Sequence, residues 1–153
     1  MHERLDFTRR IPFVDTLGLE LWRFEGGHSE LRLDLREPLT NSLGVAHGGV
    51  LMTMLDVAMA HAARSIHART PADHGVVTIE MKTSFVRPAT GRLRGEGLLL
   101  YRTIGLAFCE GRLYDAGDRL CAHATGTFKY LRARPAGLPR DGAGAHPPPE
   151  ETA

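Results

Sequence analysis

Residues 48–66 read GGVLMTMLDVAMAHAARSI, and the fold turns on this stretch. Its apolar side chains do not alternate. They nearly fill the segment, lie among good helix formers, and stop before the turn-like TPADHG of residues 70–75. The reading is a helix from about Gly48 to Ile66. A helix that is apolar almost all round has to be enclosed, by sheet on one side and by another surface on the other. One small domain can hardly wrap it alone.

The flanking sequence supplies the sheet. Ile11 to Gly18 is expected to form a short helix or arm, Leu19 to Phe24 a first strand, and Gly26-Gly27 a turn. In HSELRLDLR, residues 28–36, Leu31, Leu33 and Leu35 alternate with charged neighbours, as a sheet with one packed face requires. Pro38 ends that strand. Beyond the helix, VVTIEMKTSFV (76–86) stops at Arg87-Pro88, and GRLRGEGLLLYR (91–102), LAFCEGRLYD (106–115) and LCAHATGTFKYL (120–131) follow. Breaks fall at Ala89 to Gly91 and in the Asp115–Asp118 hairpin. One or two strands, a helix and four more strands indicate an α+β domain, an antiparallel sheet curled around the helix. Residues 1–133 are expected to form that domain, and the Pro/Gly/Ala-rich residues 134–153 a flexible tail.

At 153 residues a second domain is not expected, and a net charge of +1 gives no reason to expect nucleic acid or an anionic membrane as partner. No stretch approaches a bilayer span, and the charged start MHERLDFTRR leads into no apolar signal segment, so a cytoplasmic location is expected. Cys109 and Cys121 read as reduced, buried residues. Neither metal-ligand spacings nor dinucleotide, nucleoside triphosphate or serine-hydrolase motifs occur. No metal and no separate cofactor are expected.

Asp56 is the residue that does not fit its surroundings. Positions three and four away are Met52, Thr53, Met59 and Ala60, so no cation sits one helical turn off. It either occupies a solvent-facing stripe or is compensated by another element, another subunit or a ligand. In a dry pocket it would suit a general base or nucleophile. Asn41, Gly44, His47, Gly48 and Gly49 lead into the helix. Paired glycines there leave backbone N–H groups unobstructed, able to bond an oxygen that gains negative charge. His47 is expected to hold this turn by a hydrogen bond, with Asn41 the candidate partner; His61 and His67 are expected in core or capping roles. Gly48 and Asp56 lie about 12 Å apart along the axis at the helical rise. They act separately, or two chains pair so that the Gly48 end of one helix faces the Asp56 turn of the other.

The segment NSLGVAHGGVLMTMLDVAMAHAA, with VVTIEMKTSFVRPATGRLRGEG and LCAHATGTFKYL after it, resembles the hotdog-fold acyl-CoA thioesterases. More narrowly it is similar to the branch of PaaI and thioesterase superfamily member 2, over residues 12 to 132. The resemblance implies a long helix wrapped by a five- or six-stranded antiparallel sheet, in a homodimer that often pairs again into a homotetramer. It places the active site at the dimer interface. It implies an acyl-CoA substrate, so that coenzyme A arrives as part of the substrate. By the same resemblance Gly48 N–H polarises the thioester carbonyl, Asp56 of the other subunit attacks it or activates water, and Thr78 positions that water. His47 and Asn41 order the glycine loop or contact the thioester region. Relatives carry a glycine and a basic residue where this chain has Tyr101-Arg102-Thr103, which makes Arg102, with Arg87, Arg92 and Arg94, a candidate contact for coenzyme A phosphates. Met52, Met54, Leu55 and Met59 are the helix residues expected to line an acyl pocket. The alternatives are a hydratase or dehydratase of acyl thioesters, whose catalytic histidine sits in a different motif, and a noncatalytic acyl-CoA-binding module, for which Asp56 would have little use.

Overall fold

The computed structural model describes residues 3–67 and 75–131. The expected tail at residues 134–153 lies outside these described residues. A short helix α1 (Pro12–Leu17) leads into β1 (Glu20–Glu25) and β2 (His28–Asp34), then a 3₁₀ turn at Glu37–Leu39 and the long helix α2 (Gly48–Ser65). Strands β3 (Val76–Phe85), β4 (Arg92–Arg102), β5 (Leu106–Tyr114) and β6 (Leu120–Tyr130) follow. They form one antiparallel sheet in the order β1-β2-β4-β5-β6-β3, wrapped around α2 as expected. Both edges are strands paired on one side within the sheet, β1 and β3. No described helix is long and apolar enough to cross a membrane.

The sheet's inner face explains how close α2 can lie. Met54, Leu55, Ala58 and Met59 are fully buried against it. Opposite them the strands carry glycines, because a side chain would occupy the helix's place. A Cβ at Gly111 would sit 3.0 Å from Leu55 Cδ2, and one at Gly126 3.2 Å from Met59 Cε. At Gly97 it would come within 2.3 Å of the Ala58 carbonyl oxygen. Ser29, paired with Gly97 across β2 and β4, donates its hydroxyl to that same oxygen at 2.6 Å. Near the end of α2, Ser65 Oγ accepts from Gly27 N–H (2.8 Å) and donates to Ala62 O (2.8 Å), and Tyr130 Oη donates to Ala63 O (2.9 Å). These bonds lock the helix's axial position, which apolar packing alone leaves loose.

The side of α2 away from the sheet is open. Met52 is 39% exposed, and Thr53, Asp56 and Ala60 are only partly covered, spaced as one helical stripe. Beside this stripe runs β3, an edge strand whose Val77, Ile79, Phe85 and the following Val86 are each about half exposed. The second enclosing surface that the sequence calls for is therefore not supplied by the described protomer.

Smaller expectations resolve individually. The β5–β6 hairpin forms at the expected place: the buried Asp115 accepts from Gly117 N–H and Arg119 N–H and from the Arg119 guanidinium, which holds its carboxyl below the usual range. Both cysteines are free and buried, and desolvation pushes the Cys109 thiol up to about 12. Thr83, on β3, has a buried Oγ1 without a hydrogen-bond partner among the described residues. Leaving such a hydroxyl unsatisfied costs about 1 kcal/mol or more. Thr83→Val is accordingly expected to raise the melting temperature by about 2–4 °C in a chain of this size. A drop on calorimetry would mean that the hydroxyl is bonded in the assembled protein.

Candidate active site

The site begins in the turn before α2. Asn41 Oδ1 accepts from Leu43 N–H (2.9 Å) and Val45 N–H (3.4 Å), and its backbone N–H donates to Val45 O (2.8 Å). Asn41 thus folds the loop on itself and is not the partner of His47. The His47 ring instead caps its own helix, Nδ1 accepting from Gly49 N–H at 2.9 Å. A ring nitrogen that accepts a backbone N–H is unprotonated, so a neutral His47 carries its proton on Nε2 and presents a donor outward. Two further bonds anchor the turn, His47 N–H to Leu39 O (2.9 Å) and Ala46 N–H to Ala89 O (3.0 Å).

This capping leaves one backbone donor over. The first four N–H groups of a helix have no partner inside it. Here Gly49 N–H goes to the His47 ring, and Val50 and Leu51 N–H go to His47 O at 2.9 and 3.3 Å. Gly48 N–H has no acceptor among the described residues. It points from the positive end of an 18-residue helix, where a partial negative charge is favoured.

Asp56 lies two turns further on the open stripe, partly exposed. Its compensation within the protomer is a hydroxyl and not a cation: Thr78 Oγ1 donates to Asp56 Oδ1 at 2.7 Å. Oδ2 has no partner among the described residues. Thr78 reaches the carboxylate because of a bulge in β3. Thr78 pairs with Phe128 and Glu80 with the adjacent Thr127, so Ile79 is an extra residue. Val76 and Thr78 face α2 before it, and Met81 and Phe85 after it. Unbroken alternation would have put Thr78 and Phe85 on opposite faces.

The arginines disperse. Arg92 bridges Glu20 (2.8 Å) and Asp34 (3.4 Å), and Arg94 pairs with Glu96 and Asp118 while its guanidinium covers Tyr114. Arg87 Nη1 donates to Leu120 O (2.9 Å) and so fastens the end of β3 to β6. Arg102 lines a cavity of about 790 Å³ together with His67, Lys129 and Tyr130. Neither Arg102 nor Lys129 has a carboxylate partner among the described residues. The sequence reading missed Lys129, because only the β4–β5–β6 pairing brings it beside Arg102. His61 Nδ1 donates to Val57 O (2.8 Å) and the ring meets Phe7 and Phe24 edge-on, and the His67 ring meets Tyr130. Met54, Leu55 and Met59 belong to the core; of the four residues expected around an acyl group, only Met52 faces outward.

Comparison with known proteins bears on the family and the fold. Residues 43–122, from the loop before α2 into β6, match the Thioesterase superfamily. A protein of Saccharolobus solfataricus named as a putative esterase is 31% identical over 117 residues, 76% of this chain and 75% of its own. A conserved protein of Pseudomonas aeruginosa superposes with a TM-score of 0.74 at 32% identity, over 80% of this chain and 95% of that one. The PaaI protein from the phenylacetic acid degradation operon of E. coli superposes with a TM-score of 0.71 over 79% of this chain and 85% of its own, at 16% identity, a likeness of fold. With the family matched across α2 and the strands after it, and the same helix-in-sheet architecture in solved relatives, the chain belongs to the hotdog-fold thioesterase superfamily of hydrolases.

Proposed function

We propose that this protein hydrolyses acyl-CoA thioesters at a site completed by a second copy of the chain, with Gly48 N–H and Asp56 contributed by different subunits. The observation that carries this reading is the pairing of an unused donor with an unused acceptor. Gly48 N–H and Asp56 Oδ2 both lack partners among the described residues, and both residues are only partly covered. Their separation along one helix is too great for one small group. Two helices packed in opposite directions bring the donor of one to the carboxylate of the other.

In this mechanism the thioester carbonyl oxygen accepts from Gly48 N–H, which stabilises the negative charge that develops as the carbon is attacked. Asp56 of the partner subunit either attacks through Oδ2 or takes a proton from the attacking water. In both routes the C–S bond breaks and coenzyme A leaves as the thiolate; in the first, water then cleaves the acyl–Asp56 anhydride to the free acid and restores the carboxylate. A thioester needs no stronger nucleophile, because its carbonyl is already activated. Thr78 fixes the rotation of the carboxylate by holding Oδ1 and leaves Oδ2 for the reaction. His47 holds Gly49 and so the turn that aims Gly48 N–H. The half-exposed apolar residues of β3 support the dimer, since a patch of this kind is costly in water.

For the coenzyme A phosphates, Arg102 with Lys129 fits better than Arg92, whose charge two carboxylates already neutralise. Arg87 and Arg94 are likewise engaged.

The test is thiol release from phenylacetyl-, benzoyl- and straight-chain acyl-CoA, with p-nitrophenyl esters and enoyl-CoA in parallel, and the mass of the native assembly measured on the same sample. Thiol release by an assembly of two or more chains is expected. Cleavage of oxygen esters alone would overturn the acyl-CoA substrate. Binding without release would favour the module, and hydration of enoyl-CoA the hydratase.

A further inference from the structure

Met52 is the exception among the methionines of α2. Met54 and Met59 are fully buried, whereas Met52 is 39% exposed on the open stripe. Its neighbours leave that place to it: Leu51 is buried, and Thr53 turns its hydroxyl back to Gly49 O at 2.9 Å. Gly48, Met52 and Asp56 follow one another at intervals of four residues, along a single ridge of the helix.

A twofold axis fixes what Met52 meets. In a symmetric pair, if residue i of one chain faces residue j of the other, then j also faces i. When Gly48 of each subunit faces Asp56 of the other and the helices run in opposite directions, the residue midway between them faces its own copy. That residue is Met52. Side chains and N–H groups of a helix all lean toward its N-terminus, so the lean shifts Met52 together with the groups on either side of it.

The cations proposed for coenzyme A set the direction of the substrate. Arg102 and Lys129 share their cavity with His67, just past the end of α2. On the helix that supplies Asp56, this end points away from the axis. Coenzyme A therefore lies outward, and the acyl group is turned inward, toward Met52. The distance from Asp56 or Gly48 to Met52 along the helix is about 6 Å at its rise per residue. A short chain or one phenyl ring fits that length, and a longer chain crosses the axis into the space of the second acyl group.

We infer that Met52 and the partner subunit's Met52 meet on the twofold axis and form the common end wall of the two acyl pockets, which limits the substrates to acyl groups that are short or carry a single ring. This rests on the proposed function. Methionine suits a wall shared by two ligands, since its unbranched thioether chain repacks against each.

The experiment has two arms. In the first, Met52→Cys and Ala60→Cys proteins are treated with a short bismaleimide and separated under denaturing conditions; the native Cys109 and Cys121 are buried. Met52→Cys is expected to give a covalent dimer. Ala60→Cys is expected to give none, because the same symmetry sets residue 60 about 24 Å from its copy along the helix direction. In the second, kcat/KM is measured on acetyl-, hexanoyl-, phenylacetyl- and decanoyl-CoA, with native mass as the check on assembly. Met52→Ala is expected to raise the decanoyl-to-hexanoyl ratio about tenfold or more, and Met52→Phe to lower the hexanoyl-to-acetyl ratio by as much, the scale of methylenes gained or lost in an apolar pocket. Thiol release by the wild type without a link in Met52→Cys, or with a chain-length order indifferent to both variants, would overturn the shared wall and leave hydrolysis standing. A wild type that releases no thiol from any acyl-CoA overturns the hydrolytic reading instead, and the acyl pocket with it.

Discussion

Asp56→Asn is expected to lower kcat for thioester hydrolysis by about 10³-fold while KM, native mass and melting temperature stay close to wild type. The magnitude follows from what the substitution removes. Asparagine has the shape of aspartate and an Oδ1 that can still accept from Thr78 Oγ1, now at 2.7 Å from the carboxylate, so the side chain stays in place. Only the charge and the basicity of the second oxygen are lost. General-base catalysis alone contributes about 10²–10⁴, and loss of a covalent nucleophile costs at least as much. Because Asp56 is partly exposed and pairs with a neutral hydroxyl, the protomer does not depend on its charge for stability. A kcat within about threefold of wild type, in an intact assembly, would remove Asp56 from the reaction. Asp56→Ala is the less informative variant, since it also leaves the Thr78 hydroxyl without its acceptor.

The main lines of this architecture are legible in the sequence because the signals are of long range along the chain. The nearly continuous apolar run predicts a helix from Gly48 to Ile66, and α2 spans Gly48–Ser65. The alternation in HSELRLDLR becomes β2, with Leu31 and Leu33 buried. What was not legible depends on single residues set by tertiary pairing. The Ile79 bulge changes which side chains of β3 face α2, and nothing in VVTIEMKTSFV marks it. The His47 ring takes Gly49 N–H because a side chain at the cap position is already beside that group, whereas Asn41 is committed to Leu43 and Val45. Methionines at 54 and 59 look equally suited to ligand or core, and the sheet's glycines decide for core. The signal for that was present, in the strand-interior glycines of RGEGLLL and ATGTF, but it identifies a close approach only once the approaching element is known.

Gly97→Ala is expected to be the most destabilising glycine-to-alanine substitution among the described residues, and to cost activity although residue 97 touches no part of the proposed site. The added Cβ would stand 2.3 Å from the Ala58 oxygen, 2.5 Å from its carbon and 2.8 Å from Ser29 Oγ. None of these atoms is the end of a flexible side chain able to swing away: two are helix backbone, and the third is held by its bond to the first. Relief requires α2 to move off β4 by about 1 Å, which lengthens the Ser29 bond and opens gaps around Leu21, Leu31 and Ala58. Overpacking of this kind costs about 1–3 kcal/mol and more when backbone must yield, to which a weakened buried hydrogen bond adds about 1 kcal/mol. A fall in melting temperature of roughly 10 °C is the corresponding expectation for a domain of this size. Gly105→Ala, where nothing lies within 4 Å and φ is ordinary, is the matched control and should change little. Ala58 is two residues from Asp56, so the same displacement shifts the carboxylate against Thr78 on β3, and kcat should fall even below the melting transition. A Gly97→Ala protein as stable as the control would mean that α2 is not seated by the glycines, and that its depth in the sheet, which sets where Asp56 and Gly48 stand, has another origin.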